Sequence, residues 1–208
     1  PNVIMRPLYQ EIILPNLCYI GGGGELAYWF QLKDYFSKVN TPFPILLLRN
    51  SALLIAEKQL VKLTKLNVNL KELFNKQEVL INSKVKEISD ITIDFSEQKE
   101  FLQEQFIALK ELAKQTDKSF IGAVKAQEKK QLNGLNNLEK RLLKAQKRKL
   151  SDVVSRIESL QNQLFPNQSL EERTRNFSEI YLELGTDLIP MLLEALQPLK
   201  LEFTVLEY

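Results

Sequence analysis

Reactive side chains are scarce in this sequence. Among 208 residues there is no histidine and a single cysteine, Cys18. A Ser-His-Asp or Cys-His nucleophile, a histidine metal site and a multi-thiolate zinc site are therefore excluded within the chain. Recognition and reaction are left to carboxylates, lysines, arginines, the backbone or a bound cofactor. The most suggestive stretch is "CYIGGGGELAYWFQLKDYF", Cys18 to Phe36. Its four consecutive glycines, Gly21, Gly22, Gly23 and Gly24, separate an apolar run from an amphipathic one. Free N–H groups at the start of a helix carry partial positive charge and can cradle a phosphate or carboxylate. The spacing lacks the Lys-Ser/Thr of a P-loop, and no glycine falls at Leu26 or Ala27 to complete G-x-G-x-x-G. The looser form ending in alanine fits at Gly22, Gly24 and Ala27. Glu25, in the first helical turn, is a rival for the same N–H groups. The run reads either as a tight turn or as an anion site.

Arg6 with Gln10, and Arg49 with Asn50, are polar groups set in apolar surroundings. Arg49 falls at the carboxyl end of an expected parallel strand, where ligands of open α/β sheets sit. The alternative is an arginine paired to Glu11 or Glu25 as a structural salt bridge. Tyr28 and Trp29 could stack on a ring, but their helical spacing beside Leu26 and Phe30 suits a core. Cys18 lies in an apolar run and is expected to be a buried, inert thiol.

These residues must be carried by local elements. "RPLYQEIIL" reads as a short helix stopped by Pro15, with Pro7 near its start. "LCYIG" is a strand, "ELAYWFQLKDYF" a helix, and "FPILLLRNSALLI" one continuous second strand. Together they make a βαβ unit from Leu17 to about Leu54. Leu, Lys, Glu, Gln and Asn dominate from there to Phe165. Asn69 and Glu72 have the offset of a capping box, before an apolar stripe of Leu73, Phe74, Leu80, Ile81, Val85 and Ile88. A helix follows over about Ser96–Gln115, with Leu102, Phe106, Leu109 and Ala113 on one face.

From Asp117 to Phe165 no proline interrupts the pattern, and continuous helix is expected, about 70 Å long at 1.5 Å per residue. Its seam is Leu135, Leu138, Leu142, Leu150, Val153, Ile157, Leu160 and Leu164, in the alternating three–four steps of a coiled coil. Leu142 to Leu150 through Gln146 takes two steps of four, a stutter that locally relaxes a supercoil. The seam could pair between chains or pack against the Ser96–Gln115 helix. Lys125–Lys149 holds nine Lys or Arg and two Glu. It lacks interleaved aromatics, so a solvated coiled-coil face is favoured over a nucleic-acid surface. After Phe165-Pro166-Asn167, Ser169 and Glu172 form a second expected capping box, opening a helix that stops at Gly185. "TDLIPMLLEAL" is a further short helix, and "LEFTVLEY" a terminal strand.

Hydrophobic residues make up 44% and the formal charge is +2, enough apolar content for a packed core and too little charge for a polycation. The lone cysteine suits a reducing compartment. No apolar run is long enough to span a bilayer, and no secretion leader is visible. The chain opens on Pro1 rather than methionine and is read as a piece of a longer protein. The expected class is mainly α with a small α/β part, a Rossmann-like fragment followed by a long antiparallel α-helical coiled coil. Expected boundaries are 1–55 for the core piece, 56–94 for connecting helices, 95–165 for the coiled-coil hairpin and 166–208 for C-terminal helices and strand. A scaffolding coiled-coil module and a basic-helix nucleic-acid binder are the rival readings.

"RPLYQEIILPNLCYIGGGGELAYWFQLKDYF", "PFPILLLRNS", a long helical hairpin, "LFPNQSLEERTRNF" and a final "VLEY" together resemble the C-terminal part of the cysteine-adding enzymes of bacillithiol biosynthesis. The likeness runs in order through essentially the whole chain. The family loop resembles G-G-P-G-E; here Gly23 replaces the proline. The resemblance implies a cytoplasmic ligase-like enzyme joining cysteine to glucosaminyl-malate, with a Rossmann-like core and a coiled coil that makes a homodimer. No cofactor is established by it, though it leaves room for a nucleotide. This chain would supply the coiled coil and one wall of the core cleft, and would be inactive alone. In that cleft Arg6 and Arg49 would anchor a carboxylate or phosphate, and Gly21 to Gly24 would contact it through the main chain. Gln10 and Glu25 would order the loop, with Tyr28 and Asn50 also lining it. Catalytic residues are not assigned, and neither a metal nor a membrane is implied.

Overall fold

The computed structural model describes residues 2–116 and 118–208, and of Lys118 only the backbone. The expected helix start at Asp117 and the opening Pro1 lie outside the described residues. In chain order the first elements are α1 (Met5–Ile13), β1 (Cys18–Gly21), α2 (Gly23–Phe30), α3 (Lys33–Lys38), β2 (Ile45–Leu48) and β3 (Ser51–Ile55). The helical stretch holds α4 (Glu57–Lys65), α5 (Gln77–Ile88), α6 (Ser96–Ala113), α7 (Lys118–Lys149) and α8 (Ser151–Leu164). The chain ends with α9 (Phe177–Leu184), α10 (Leu188–Ala195) and β4 (Phe203–Glu207). Two compact units result: the first 56 residues with Leu170–Tyr208, and Glu57–Ser169.

The first unit carries the glycine run. β1 and β2 pair in parallel, from Cys18 opposite Ile45 to Gly21 opposite Leu48, as expected of a βαβ unit. The expected single strand through "FPILLLRNSALLI" is instead two. β2 stays with β1, whereas β3 pairs in parallel with β4, from Ser51 opposite Phe203 to Ile55 opposite Glu207. The break falls at the two polar residues of the run. The Arg49 N–H donates to the Gly21 carbonyl at 3.0 Å and ends the first ladder. The Asn50 side chain then donates to the Gln197 carbonyl at 3.0 Å.

Leu8, Trp29, Leu32 and Phe36 form the buried cluster of this unit, with Tyr19, Phe43 and Leu46 packed against it. Trp29 is therefore a core residue, 4.3 Å from the Tyr19 ring between centroids. Successive strand residues point to opposite faces, so with Tyr19 turned to the cluster, Cys18 and Ile20 face away. Cys18 is exposed, contrary to the expectation of a buried thiol, because helices cover one face of this small sheet and leave the other bare. The expected Ser169–Glu172 capping box is not formed either. Glu171–Arg173 is a 3-10 turn, and α9 is capped by Asn176, whose side-chain oxygen accepts from the Ser178 N–H. Gly185 ends α9 in a positive-φ conformation, as its position predicts.

The second unit is all helical. Asn69 donates its N–H to Glu72 at 2.8 Å, so this capping box exists, but it opens a 3-10 turn, Leu70–Phe74, before α5. Leu73, Leu80, Ile81 and Val85 are buried, while Phe74 and Ile88 lie at the edge. Lys84 on α5 is buried and bonds Glu72 at 3.0 Å, Glu87 at 2.9 Å and the Asn67 carbonyl at 2.5 Å. α6 and α7 form an antiparallel hairpin around Phe106, Ala113 and Val124. Lys110 pairs with Glu128 at 2.5 Å and Lys99 with Glu139. The two pairs are separated by the same interval along both helices, about three turns, so one register holds along the hairpin.

The rod expected from Asp117 to Phe165 is broken at Leu150, which leaves the helical region (φ −99°, ψ 26°) between α7 and α8. The cause is a change of packing partner. α7 lies on α6 and then reaches α5, whereas α8 lies on α5 and α4. The stripe shifts phase at the stutter, and Gln146 is buried there with its side-chain oxygen unbonded. Gly122 and Gly134 do not interrupt the helix. Ile157, Leu160 and Leu164 are buried within the unit itself. Leu135, Leu142, Leu150 and Val153 are half-buried and Leu138 is exposed, so the expected seam is two seams with different partners. Among the described residues no helix is long and apolar enough to cross a membrane, and no cluster of metal-ligating side chains occurs.

Candidate functional site

The four glycines are not alike. None has the positive φ that glycine alone tolerates; among described glycines only Gly185 does. The demand is for space. A Cβ at Gly21 would lie 2.8 Å from Tyr19 Cε1 and 3.3 Å from Glu25 Cβ. A Cβ at Gly22 would lie 2.6 Å from Arg173 Nη2 and 3.5 Å from Arg49 Nη2. At Gly23 and Gly24 nothing stands within 4 Å. Gly21 is thus required by close approach to a packed ring, Gly22 lets a flexible arginine close in, and the other two simply open the first turn of α2.

Glu25 behaves as the rival foreseen for the helix end. Its Oε2 accepts the Gly22 N–H at 2.6 Å, the reciprocal half of a capping box. Arg49 is half-buried at the end of β2, and its side chain reaches Gly22. The structural salt bridge to Glu11 or Glu25 is not made. Glu11 is buried and is held by the Asn16 N–H at 3.0 Å and the Asn16 side chain at 2.9 Å. Among the described residues no carboxylate lies within ion-pair distance of the Arg49 guanidinium.

The second guanidinium, Arg173, has no local signal in the sequence. It reaches Gly22 because Leu170–Tyr208 folds back into this unit. Glu172 fixes the approach, accepting from Ser51 Oγ and from the Ala52 N–H, each at 3.1 Å, at the start of β3. Buried Glu171 anchors the other side through Arg175 Nη1 at 2.5 Å, and Arg175 Nε bonds Glu179 at 2.7 Å. The hydrogen bonds to Glu179 and Glu171 push the Arg175 guanidinium above its ordinary value despite burial. Among the described residues the one ionic contact of Arg173 is Glu172, at 3.9 Å, which is itself held by Ser51 and Ala52.

The structure therefore brings together Gly21, Gly22, Glu25 and Arg49, and adds Arg173. It does not tie Arg6, Gln10 or Tyr28 to the turn by a hydrogen bond. Arg6 is exposed on α1 and Gln10 is half-buried. The Tyr28 hydroxyl donates to the Val3 carbonyl, which binds α2 to the chain's first residues. Asn50 is spent on Gln197. Chemically, the arrangement can hold an anion, since the two carboxylates beside its guanidiniums, Glu25 and Glu172, are already engaged by the Gly22 N–H and by Ser51 and Ala52. The second unit has a separate groove of about 510 Å³ lined by Lys62, Lys65, Arg156, Ser155 and Ser159 over Leu66 and Leu160. Of the residues singled out in the sequence it contains only the seam residue Leu160.

Nearly the whole chain matches known protein families. Residues 1–50 match the family model described as "Bacillithiol biosynthesis BshC, N-terminal Rossmann-like domain". Residues 52–208 match "Bacillithiol biosynthesis BshC, C-terminal coiled-coil domain". The junction falls where β2 gives way to β3, although the residues from Leu170 onward fold with the first 56. A Christiangramia forsetii protein named "Putative cysteine ligase BshC" is 64% identical over 208 residues, covering 100% of this chain and 39% of that protein. Relatives of the same name from Flavobacterium johnsoniae and Cytophaga hutchinsonii are 62% and 34% identical, over 99% and 95% of this chain and 39% and 38% of their own lengths. The chain thus spans about two fifths of the length of the curated relatives it matches. It belongs to the bacillithiol biosynthesis BshC family.

Proposed function

We propose that this chain is part of a ligase-like enzyme of bacillithiol biosynthesis that adds cysteine to glucosaminyl-malate in the cytoplasm. The observation that carries the reading is the uninterrupted match of both halves to the two domain models, with 64% identity to a relative bearing the ligase name. In this reading the glycine turn and Arg49 form one wall of the substrate cleft. The geometry supports that role because Arg49 is held at a strand end with its guanidinium free of carboxylate partners. Substrates of this chemistry carry carboxylates that such a group can bind. The chain alone, with one wall, is inactive. A nucleotide that activates a carboxylate is compatible with the same cationic wall.

The helical unit is the dimerising element of the homodimer. Ile157, Leu160 and Leu164 are already buried in the chain itself, so the self-associating surface is the α6–α7 hairpin. There Phe101 is 64%, Leu112 56% and Leu138 51% exposed.

The test is an assay of the full-length protein for cysteine addition to glucosaminyl-malate, with and without a nucleotide. Arg49→Ala is expected to remove cysteine transfer while leaving the sedimentation mass unchanged. Full transfer by that variant would remove Arg49 from the cleft, and no transfer by the unmodified protein under either condition would defeat the ligase reading.

A further inference from the structure

We propose that Arg49 and Arg173 form a two-guanidinium clamp over Gly22 for a small ligand bearing a phosphate or carboxylate group. This rests on the cleft reading above and deepens it by naming Arg173 and the ligand chemistry. The Nη2 atoms lie 2.6 and 3.5 Å from one point, the Cβ position of Gly22, so they stand within about 6 Å of each other. Arg49 is half-buried and Arg173 exposed, so water screens part of their repulsion, and an anion between them would relieve the rest. Glu25 is the carboxylate at the spot, its Oε2 3.4 Å from the same point, and it is engaged by the Gly22 N–H. Glu172 is the second carboxylate, 3.9 Å from Arg173 and so beyond hydrogen-bond distance, which leaves the guanidinium donors open to a ligand. Glu172 and Glu171, the other nearby carboxylates in sequence, are fixed on β3 and on Arg175.

The two arginines come from opposite ends of the chain. Arg49 follows β2, whose Arg49 N–H continues the β1 ladder onto the Gly21 carbonyl. Arg173 is carried by the turn that Glu172 pins to Ser51 and Ala52. A guanidinium pair with planar, fixed donors suits the two oxygens of a carboxylate or phosphate. The small residue at position 22 is what lets Arg173 close in. The C-terminal segment is thereby a ligand-binding element rather than only a cover for the sheet.

Arginine-directed labelling of the full-length protein with phenylglyoxal, mapped by peptide mass spectrometry, tests the clamp. Inorganic phosphate and malonate are the two probes. The expected result is a several-fold slowing of labelling at Arg49 and Arg173 together, with Arg6 and Arg156 unaffected. Protection by phosphate alone assigns a phosphate ligand, and protection by malonate alone or by both assigns carboxylate chemistry as well; each supports the clamp. Arg173→Gln should abolish protection of Arg49, and Gly22→Ala, which takes Arg173's seat, should do the same. Absence of protection by either probe, or protection confined to Arg156 in the helical groove, overturns the proposal. So does full protection of Arg49 in a folded Arg173→Gln protein. A protein that shows no protection yet still adds cysteine loses only the clamp, because the activity assay judges the ligase reading independently.

Discussion

The Nη2 atom of Arg173 stands 2.6 Å from the point where a Cβ at Gly22 would be, a separation no real Cβ contact allows. The neighbouring glycine meets an aromatic ring instead, at 2.8 Å from Tyr19 Cε1. The two contacts differ in how readily they yield. Tyr19 is packed against Trp29 in the core cluster, whereas Arg173 is the end of a flexible side chain. Gly21→Ala should therefore lower stability by about 1–3 kcal/mol, the usual cost of overpacking. Gly22→Ala should change it by less than about 1 kcal/mol, because the guanidinium can swing away. Gly23→Ala, facing open space at a helical position, should be neutral or stabilising by about 0.4–1 kcal/mol. Urea midpoints of the three variants check the order; equal losses at all three would contradict it.

Ile157 and Leu160 are 2% and 3% exposed in the single chain. Replacing Ile157 with Asp would set a charge among apolar side chains against α5 and α4. The expected loss is roughly 3–5 kcal/mol, on the scale of large core truncations and buried unpaired charge. The signature is a lowered denaturation midpoint. A protein of unchanged stability that merely sediments as a lighter species would show instead that these residues pair between chains.

At the α7–α8 break, Gln146 is 7% exposed and its Oε1 has no hydrogen-bond partner. An unsatisfied buried polar atom costs about 1–3 kcal/mol. Gln146→Leu removes that cost and restores an apolar step between Leu142 and Leu150, so the variant should be more stable by about 1 kcal/mol or more. A thermal midpoint below that of the unmodified protein would show that the amide serves the bend.

The buried Lys84 node gives a pH signature. Burial pulls Lys84 down, but its hydrogen bonds to Glu87 and Glu72 outweigh this and leave it above its ordinary value. A raised folded-state value stabilises below the unfolded value, and that contribution disappears as pH rises through the folded one. Glu72 is held below the ordinary carboxylate range, chiefly by the Asn69 N–H and then, against burial, by Lys84. Its contribution is present above the unfolded value and is lost as pH falls through the lowered one. Chemical-denaturation stability should therefore hold across neutral pH and fall at both extremes. Lys84→Met should flatten the alkaline limb and cost about 1–3 kcal/mol at neutral pH; an alkaline limb unchanged in that variant would exclude Lys84 as its source.

What could be read from residues alone follows the range of the forces involved. The Asn69–Glu72 box, the α6 helix and the Gly185 stop depend on neighbours a few positions away, and the β1–β2 pairing on one helical crossover between consecutive apolar runs, so their signals survive in the sequence. The division of "FPILLLRNSALLI" depends on β4, and the fate of Glu172 depends on β3, both far off along the chain. Asp or Glu three residues after Ser is a capping signal only if no better donor arrives, and here Ser51 and Ala52 did. The rod lost its continuity for a related reason: heptad steps state which face is apolar, not which helix will cover it. The exposed Cys18 shows the same limit, since an apolar run states that a strand can be buried without saying that both of its faces are. At the glycine turn, Arg49 and Glu25 were legible because they flank the elements that position them. Arg173 was not, because only long-range folding brings it to Gly22.

Ser51 pairs with Phe203 and Ile55 with Glu207, so β3 must wait for β4, about 150 residues on, before its backbone groups are satisfied. During synthesis nearly all of the helical stretch emerges in between. Loop closure over such a distance is slow, and an open strand edge in the meantime is an invitation to wrong partners. Loss of Phe203–Glu207 would leave β3 without its partner. It would also cut Glu172's docking ledge adrift, so one strand secures both β3 and the turn that carries Arg173.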